Sequence, residues 1–188
     1  MTYDPKRRSR RSLRLPGYDY TESGAYFIIV VAHGRECLFG QMVNEAMLRT
    51  DAGHVVQAVW DRLPAHYPHV RLDAFVIMPN HVHGVLILGS DSVGAGLKPA
   101  PTERRYGLPE IVRGFKTFSA RRINECRNTP GAAVWQRNYY EHVIRNEESL
   151  LRIREYIENN PLQWELDREN PARAGSLSIS CEDEPWRV

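Results

Sequence analysis

A chain of 188 residues, 42% hydrophobic and 26% charged, is long enough for one domain with a real core and too apolar to be disordered. Its longest apolar runs, Tyr26 to Ala32 and Val85 to Leu88, are too short to cross a bilayer, and no apolar stretch follows the first basic cluster, so neither a membrane span nor a secretory signal is expected. Net charge is only +2, but the basic residues cluster: Lys6, Arg7, Arg8, Arg10, Arg11 and Arg14 stand against Asp4 alone, and a second group (Arg104, Arg105, Arg113, Lys116, Arg121, Arg122 and Arg127) stands against Glu110 and Glu125. Two such clusters on a nearly neutral chain suggest a local polyanion footprint. The three scattered cysteines, Cys37, Cys126 and Cys181, lack zinc-finger spacing and suggest reduced thiols in a cytoplasm.

Residues 1–23 read as a basic, irregular arm. Gly24 to His33 reads as the first strand, dense in aromatic and β-branched residues. Cys37 to Gly40 suits a short edge or hairpin piece. Asn44 to Leu63 has helical spacing through Val55, Val56, Val59, Trp60 and Leu63, and Pro64 stops it. Val70 to Met78 and His81 to Leu88 read as strands separated by the break at Pro79-Asn80. Gly89 to Gly107 is a long connection rich in Gly, Ala, Pro and Ser. Leu108 to Cys126 reads as the second major helix, with an apolar stripe of Leu108, Ile111, Val112, Phe115, Phe118 and Ile123. Val134 to Ile144 returns as a strand. A last helix runs from Asn146 as N-cap, with Glu147 and Glu148 in its first turn, to Asn160, where Pro161 ends it. Residues 162–188 read as a polar tail.

The order β-α-β-β-α-β-α predicts an α+β fold. It is the split βαβ pattern of a ferredoxin-like sandwich, an antiparallel sheet with helices on one face, plus an added C-terminal helix, all within residues 24–161. Such a fold hosts many functions, so function must come from the site.

His81 and His83 open a strand at period-2 spacing, so both imidazoles share one face while Val82 takes the other. On the last helix Tyr156 and Asn160 are four apart and share a face. Two imidazoles and one amide oxygen make a three-point platform for Mg²⁺ or Mn²⁺, with a phosphate oxygen completing the shell. A phenol one helical turn away is a poor nucleophile at neutral pH unless its target is polarised, which a metal on a scissile phosphate would do. Its product would be a phosphotyrosine.

Pro79-Asn80-His81-Val82-His83 followed by an apolar strand resembles the His-hydrophobic-His motif of the HUH single-strand nucleases. Trp135 to Glu148, then Tyr156-Ile157-Glu158-Asn159-Asn160-Pro161, resembles the REP-associated tyrosine transposases, domesticated relatives of the insertion-sequence single-strand transposases. Arg14 to Tyr20 and Gly114-Phe115-Lys116-Thr117-Phe118-Ser119 are similar too. The resemblance spans roughly residues 10 to 165, and its motifs are specific in combination. It implies a ferredoxin-like core, a divalent metal and one tyrosine that attacks hairpin-containing, REP-like single-stranded DNA, keeping the 5′-phosphate and releasing a 3′-hydroxyl. By position it assigns the nucleophile to Tyr156 and the third metal ligand to Asn160, where mobile-element relatives usually carry glutamine. The long 89–107 connection departs from the pattern. Relatives work as monomers or homodimers.

Arg8, Arg10, Arg11, Arg14, Arg113, Lys116 and Arg121 are the candidate phosphate contacts; Trp135 is a candidate aromatic contact to DNA, and Tyr139 and Tyr140 are candidate base-stacking or packing residues. Glu141 and His142 together suggest acid/base work as a lesser alternative. A catalytically inactive binder on the same fold would have no need of His81, His83, Tyr156 and Asn160 together, and the aromatic pattern of RNA-binding sheets is missing. A cupin-type metal enzyme would place a glutamate soon after His83, yet the next one is Glu103.

Overall fold

The computed structural model describes residues 15, 17–89, 106–167 and 169–173. Arg8, Arg10, Arg11 and Arg14, and all but the ends of the 89–107 connection, lie outside the described residues. In chain order the elements are β1 (Gly24–Val31), β2 (Gly40–Val43), β3 (Ala46–Arg49), α1 (Asp51–Asp61), α2 (Leu63–His66), β4 (Val70–Ile77), β5 (His81–Leu88), α3 (Leu108–Arg127), β6 (Tyr140–Ile144) and α4 (Glu147–Asn159). Two 3-10 turns follow, Pro161–Leu166 and Pro171–Arg173.

One antiparallel sheet has the strand order β4-β5-β1-β6. This is the α+β, ferredoxin-like arrangement that the element order predicts. The strands alternate, and each parity feeds a different layer. Tyr26, Ile28 and Val30 of β1 and Val82, Leu86 and Leu88 of β5 pack with Val56, Val59 and Trp60 of α1 and Ile111, Val112 and Phe115 of α3. Phe27 of β1 and Val85 of β5 pack instead with Leu150, Ile153 and Ile157 of α4. The first two long helices therefore cover one face and α4 covers the other.

Gly84 sets how closely α1 can approach. A Cβ at this position would lie 2.5 Å from Cη2 of Trp60 and 3.0 Å from Cδ2 of Phe75. The two rings are stacked with centroids 4.2 Å apart, and Trp60, the nearer one, is buried, so it has little room to give. Gly84→Ala is therefore expected to cost about 1–3 kcal/mol, as overpacking of a tight core does. A urea midpoint equal to that of the parent would show that the layer adjusts freely.

Two boundaries differ from the sequence reading. Residues 40–49 form a β2–β3 hairpin, and the helix expected from Asn44 begins at Asp51. The turn uses Asn44 and Glu45 in the left-handed region, at φ 50° and 62°, which a helix cannot accommodate. Thr50 then caps α1 through its side chain, accepting from the Gly53 N–H at 3.3 Å. The last strand is also shorter than expected. Only Tyr140–Ile144 pairs continuously with β1, while Trp135 makes one isolated bridge to Ala32.

α4 starts as expected: the Asn146 side chain accepts from the Ser149 N–H at 2.8 Å. At its other end Asn160 stays helical (φ −58°, ψ −41°), and Pro161 opens a 3-10 turn instead of a break. Proline is tolerated there because a first helical residue needs no N–H partner. The chain after Pro161 thus turns back onto the sheet, where the composition suggested a tail.

α4 is also pinned to the outer strand. Arg154 donates from two nitrogens to the two carboxylate oxygens of Asp73, at 2.7 and 2.8 Å. The register of β4 against β5 slips between Leu72 and Phe75. Such a bulge lets consecutive residues leave the regular alternation; Asp73 reaches Arg154 while Leu72 and Phe75 both stay in the α1–α3 core. Arg154 holds the Asp73 carboxyl below its ordinary pKa. A lowered folded pKa adds stability above the unfolded value, near 3.9, and that stability is lost as pH falls through the folded value. Asp73→Asn is expected to lower unfolding free energy by about 1 kcal/mol at pH 7, the scale of a well-formed, partly exposed pair. Below pH 3 variant and parent should converge. A deficit independent of pH would mean that the carboxylate charge is not what matters.

Candidate metal centre and active site

His81 and His83 lie on the α4 face of β5, and the covering layer makes them interior residues, with 0% and 1% of their surface exposed. Their Nε2 atoms converge to 2.6 Å. The period-2 spacing gives the shared sheet face; α4 and the segment after it roof that face over the pair. Burial pushes the His83 imidazole down to about 3, and burial together with the neighbouring His83 lowers His81 well below its ordinary value. Both rings are therefore neutral at pH 7 and offer lone pairs.

Tyr156, half-buried on α4, sets its ring edge-on against the His83 ring, with centroids 5.3 Å apart and an interplanar angle of 77°. It meets Phe27 in the same way at 6.2 Å. Further along, Trp164 lies 6.1 Å from the His81 ring. Asn160 sits in the turn between these two aromatic contacts and is 2% exposed. Its Oδ1, like Nδ1 of His83, is buried without a hydrogen-bond partner among the described residues. An acceptor left so is costly, by about 1–3 kcal/mol, unless something binds it.

The returning segment brings a residue that the sequence reading missed. Asp167 Oδ2 is 3.6 Å from His81 Nε2, and the ligand atoms of His81, His83 and Asp167 all lie within 4.8 Å of one another. Only its position after a turn of polar composition hid it: the contact joins residues 86 apart in the chain, and no local pattern announces that. Two neutral imidazoles, a carboxylate and an orphaned buried amide oxygen make a mixed N/O donor set that fits a divalent cation.

The other candidates separate. Tyr140 shares the α4 face, with its ring 6.4 Å from Phe27, whereas Tyr139 packs against the α1–α3 core. Trp135 is no stacking platform. It is 8% exposed, its indole N–H donates to Ser119 Oγ at 2.9 Å, and its ring packs on Phe39 and Phe115. Lys116 is engaged rather than free: its ammonium donates to the carbonyls of Gln136, Arg137 and Asn138 at 2.6, 3.0 and 3.3 Å, and burial lowers its pKa to about 8. It fixes the loop that leads into β6. Arg113 and Arg121 are exposed on α3, in the layer across the sheet from the imidazoles, and Arg121 pairs with Glu125. Glu141 and His142, adjacent on β6, point to opposite faces, so they cannot act as one acid/base pair. No helix among the described residues is long and apolar enough to cross a membrane.

No family model matches the chain. A Haemophilus influenzae protein of unassigned function is 43% identical over 171 residues, covering 85% of this chain and 92% of that protein. A second Haemophilus influenzae protein, named "Putative REP-associated tyrosine transposase", is 26% identical over 147 residues, covering 77% of this chain and 74% of its own length. Among solved structures, a REP-associated tyrosine transposase bound to a REP hairpin superposes with a TM-score of 0.54 at 18% identity, over 80% of this chain and 73% of that one, a likeness of fold. The antiparallel sheet with paired imidazoles on β5 fits the His-hydrophobic-His motif of the HUH class, and a helix that carries a tyrosine lies over it. The named relative and the fold likeness both point to the REP-associated tyrosine transposases, the same group that the sequence motifs resemble.

Proposed function

We propose that this enzyme is a metal-dependent single-stranded DNA endonuclease and strand transferase that works through a 5′-phosphotyrosine on Tyr156. The observation that carries the reading is the edge-on packing of the Tyr156 ring against His83, beside the converging Nε2 atoms. His81, His83 and Asn160 would hold the ion, Mg²⁺ or Mn²⁺, with Asp167 beside them. When bound, such an ion polarises a scissile phosphate and neutralises charge developing on its oxygens.

The residues themselves supply the rest. α4 presents the phenol, and the ring contacts with His83 and Phe27 limit its rotation. The Tyr156 hydroxyl oxygen forms a bond to phosphorus as the bond from phosphorus to the 3′-oxygen breaks. The phenolic proton is lost, the departing oxygen gains a proton, and a 3′-hydroxyl leaves. Roofing by α4 limits water, which protects the phosphotyrosine until a 3′-hydroxyl reverses the step and rejoins the strand.

The substrate class is hairpin-containing repetitive DNA, the kind of ligand represented by the REP hairpin that the structural neighbour binds. Arg113, Arg121 and the arm residues Arg8, Arg10, Arg11 and Arg14 would contact phosphates, and Tyr140 is the aromatic best placed to meet a base near the site. The protein would act in the cytoplasm as a monomer or homodimer. Labelled single-stranded hairpin DNA incubated with and without Mn²⁺ tests the reading. A covalent protein–DNA band that needs the metal supports it; strand cleavage without any such band refutes the tyrosine route.

A further inference from the structure

Asn80 stands between the two histidines and the break before them, and it is completely buried. Its side chain is fully used. Oδ1 lies 2.8 Å from His81 Nδ1. Nδ2 donates to the Glu169 carbonyl at 2.6 Å and to the Arg35 carbonyl at 3.1 Å. Both of those partners only accept, so the amide nitrogen must face them and the oxygen must face the imidazole. An oxygen there can only accept, so His81 carries its proton on Nδ1. That leaves Nε2, the nitrogen 2.6 Å from His83 and 3.6 Å from Asp167, as a bare lone pair.

The donating end reaches a different part of the chain. Glu169 is tied a second time by Arg35, Nε to Oε2 at 3.0 Å, and its own N–H donates to Asp167 Oδ1 at 2.6 Å. Holding the Glu169 backbone therefore holds the Asp167 carboxylate beside His81.

We propose that Asn80 is a positioning residue of the metal centre: its carbonyl oxygen fixes the tautomer of His81, and its amide nitrogen fastens the returning 161–170 segment that carries Asp167. Partners of this kind fix ring orientation, and their loss commonly weakens metal affinity by about 10–100-fold. The inference rests on the reading that His81 binds the ion.

Two substitutions separate the halves. Asn80→Ala removes both ends of the amide. Asn80→Asp is isosteric, keeps an acceptor against His81 Nδ1 and turns the donor toward Arg35 and Glu169 into an acceptor. Three readouts apply to the full chain: ¹⁵N shifts of the His81 ring, Mn²⁺ affinity by calorimetry, and hydrogen exchange of residues 163–170. The alanine variant should lose the uniform Nδ1–H tautomer, bind Mn²⁺ at least tenfold more weakly and exchange faster over 163–170. The aspartate variant should keep the tautomer and still exchange faster. An alanine variant with the parent's tautomer and an affinity within twofold overturns the positioning role, and an aspartate variant with parental exchange overturns the fastening role. The aspartate arm stands alone should the alanine protein not fold, because loss of the Nδ1–H tautomer there also overturns the proposal. His81→Ala is the control. If it leaves Mn²⁺ affinity unchanged, the metal reading itself is wrong, a result distinct from failure at Asn80.

Discussion

Tyr156→Phe is expected to abolish both the covalent DNA adduct and nicking while leaving Mn²⁺ and hairpin DNA affinities within twofold of the parent. The phenylalanine keeps the ring that packs edge-on against His83 and Phe27, so the helix and the imidazoles beneath it have no reason to move. What disappears is one oxygen, and in-line attack on phosphorus has no substitute for it. Removing a nucleophile from an enzyme that works through a covalent intermediate lowers turnover by about 10⁴–10⁶-fold. Tyr139→Phe and Tyr140→Phe should each still form adduct. Tyr139 packs on the opposite side of the sheet, and Tyr140, though it shares the α4 face, stands on the edge strand β6 rather than on α4. Peptide mapping of the trapped adduct decides the matter: DNA attached to either of those residues would move the active site off α4.

What the sequence made legible was local. The bounds of β5 follow from Pro79-Asn80 before it and alternation through it, and α3 and α4 follow from their stripes, caps and flanking prolines. The order of these pieces then dictated the sheet. The β2–β3 hairpin stayed hidden because its turn uses Asn44-Glu45 in place of a glycine, and its residues merge into the helical spacing that follows. Trp135 was misread for another reason. An aromatic beside a basic loop has the same composition whether it faces DNA or Phe39, and only the packing of α3 decides that. Asp167, Asn80 and the Asp73–Arg154 pair were beyond reach for a common reason, since each acts through a contact between distant parts of the chain. The histidine motif shows the same limit in miniature. Period-2 spacing gave the shared face, while the depth of the pair came from α4 and the returning segment.

That depth shapes the outcome for the metal ligands. The double change His81→Ala with His83→Ala is expected to eliminate measurable Mn²⁺ binding by calorimetry and all adduct formation. Asn160 and Asp167 alone would leave a carbonyl and a carboxylate, too few donors to hold a hydrated divalent ion tightly. Because both imidazoles are buried, the change also has a structural cost. Two ring-sized volumes open between β5, Phe27, Tyr156 and Trp164, and cavities of that kind destabilise. Against this, His83 Nδ1 is a buried polar atom without a partner among the described residues, and its removal relieves a desolvation cost. The two effects oppose, so a net loss of about 1–3 kcal/mol is expected, visible as a melting temperature lower by several degrees in a protein that still folds. Circular dichroism should therefore show parental secondary structure at 25 °C beside a flat Mn²⁺ titration. A folded double variant that still binds Mn²⁺ with parental affinity would place the ion elsewhere and take His81 and His83 out of the active site.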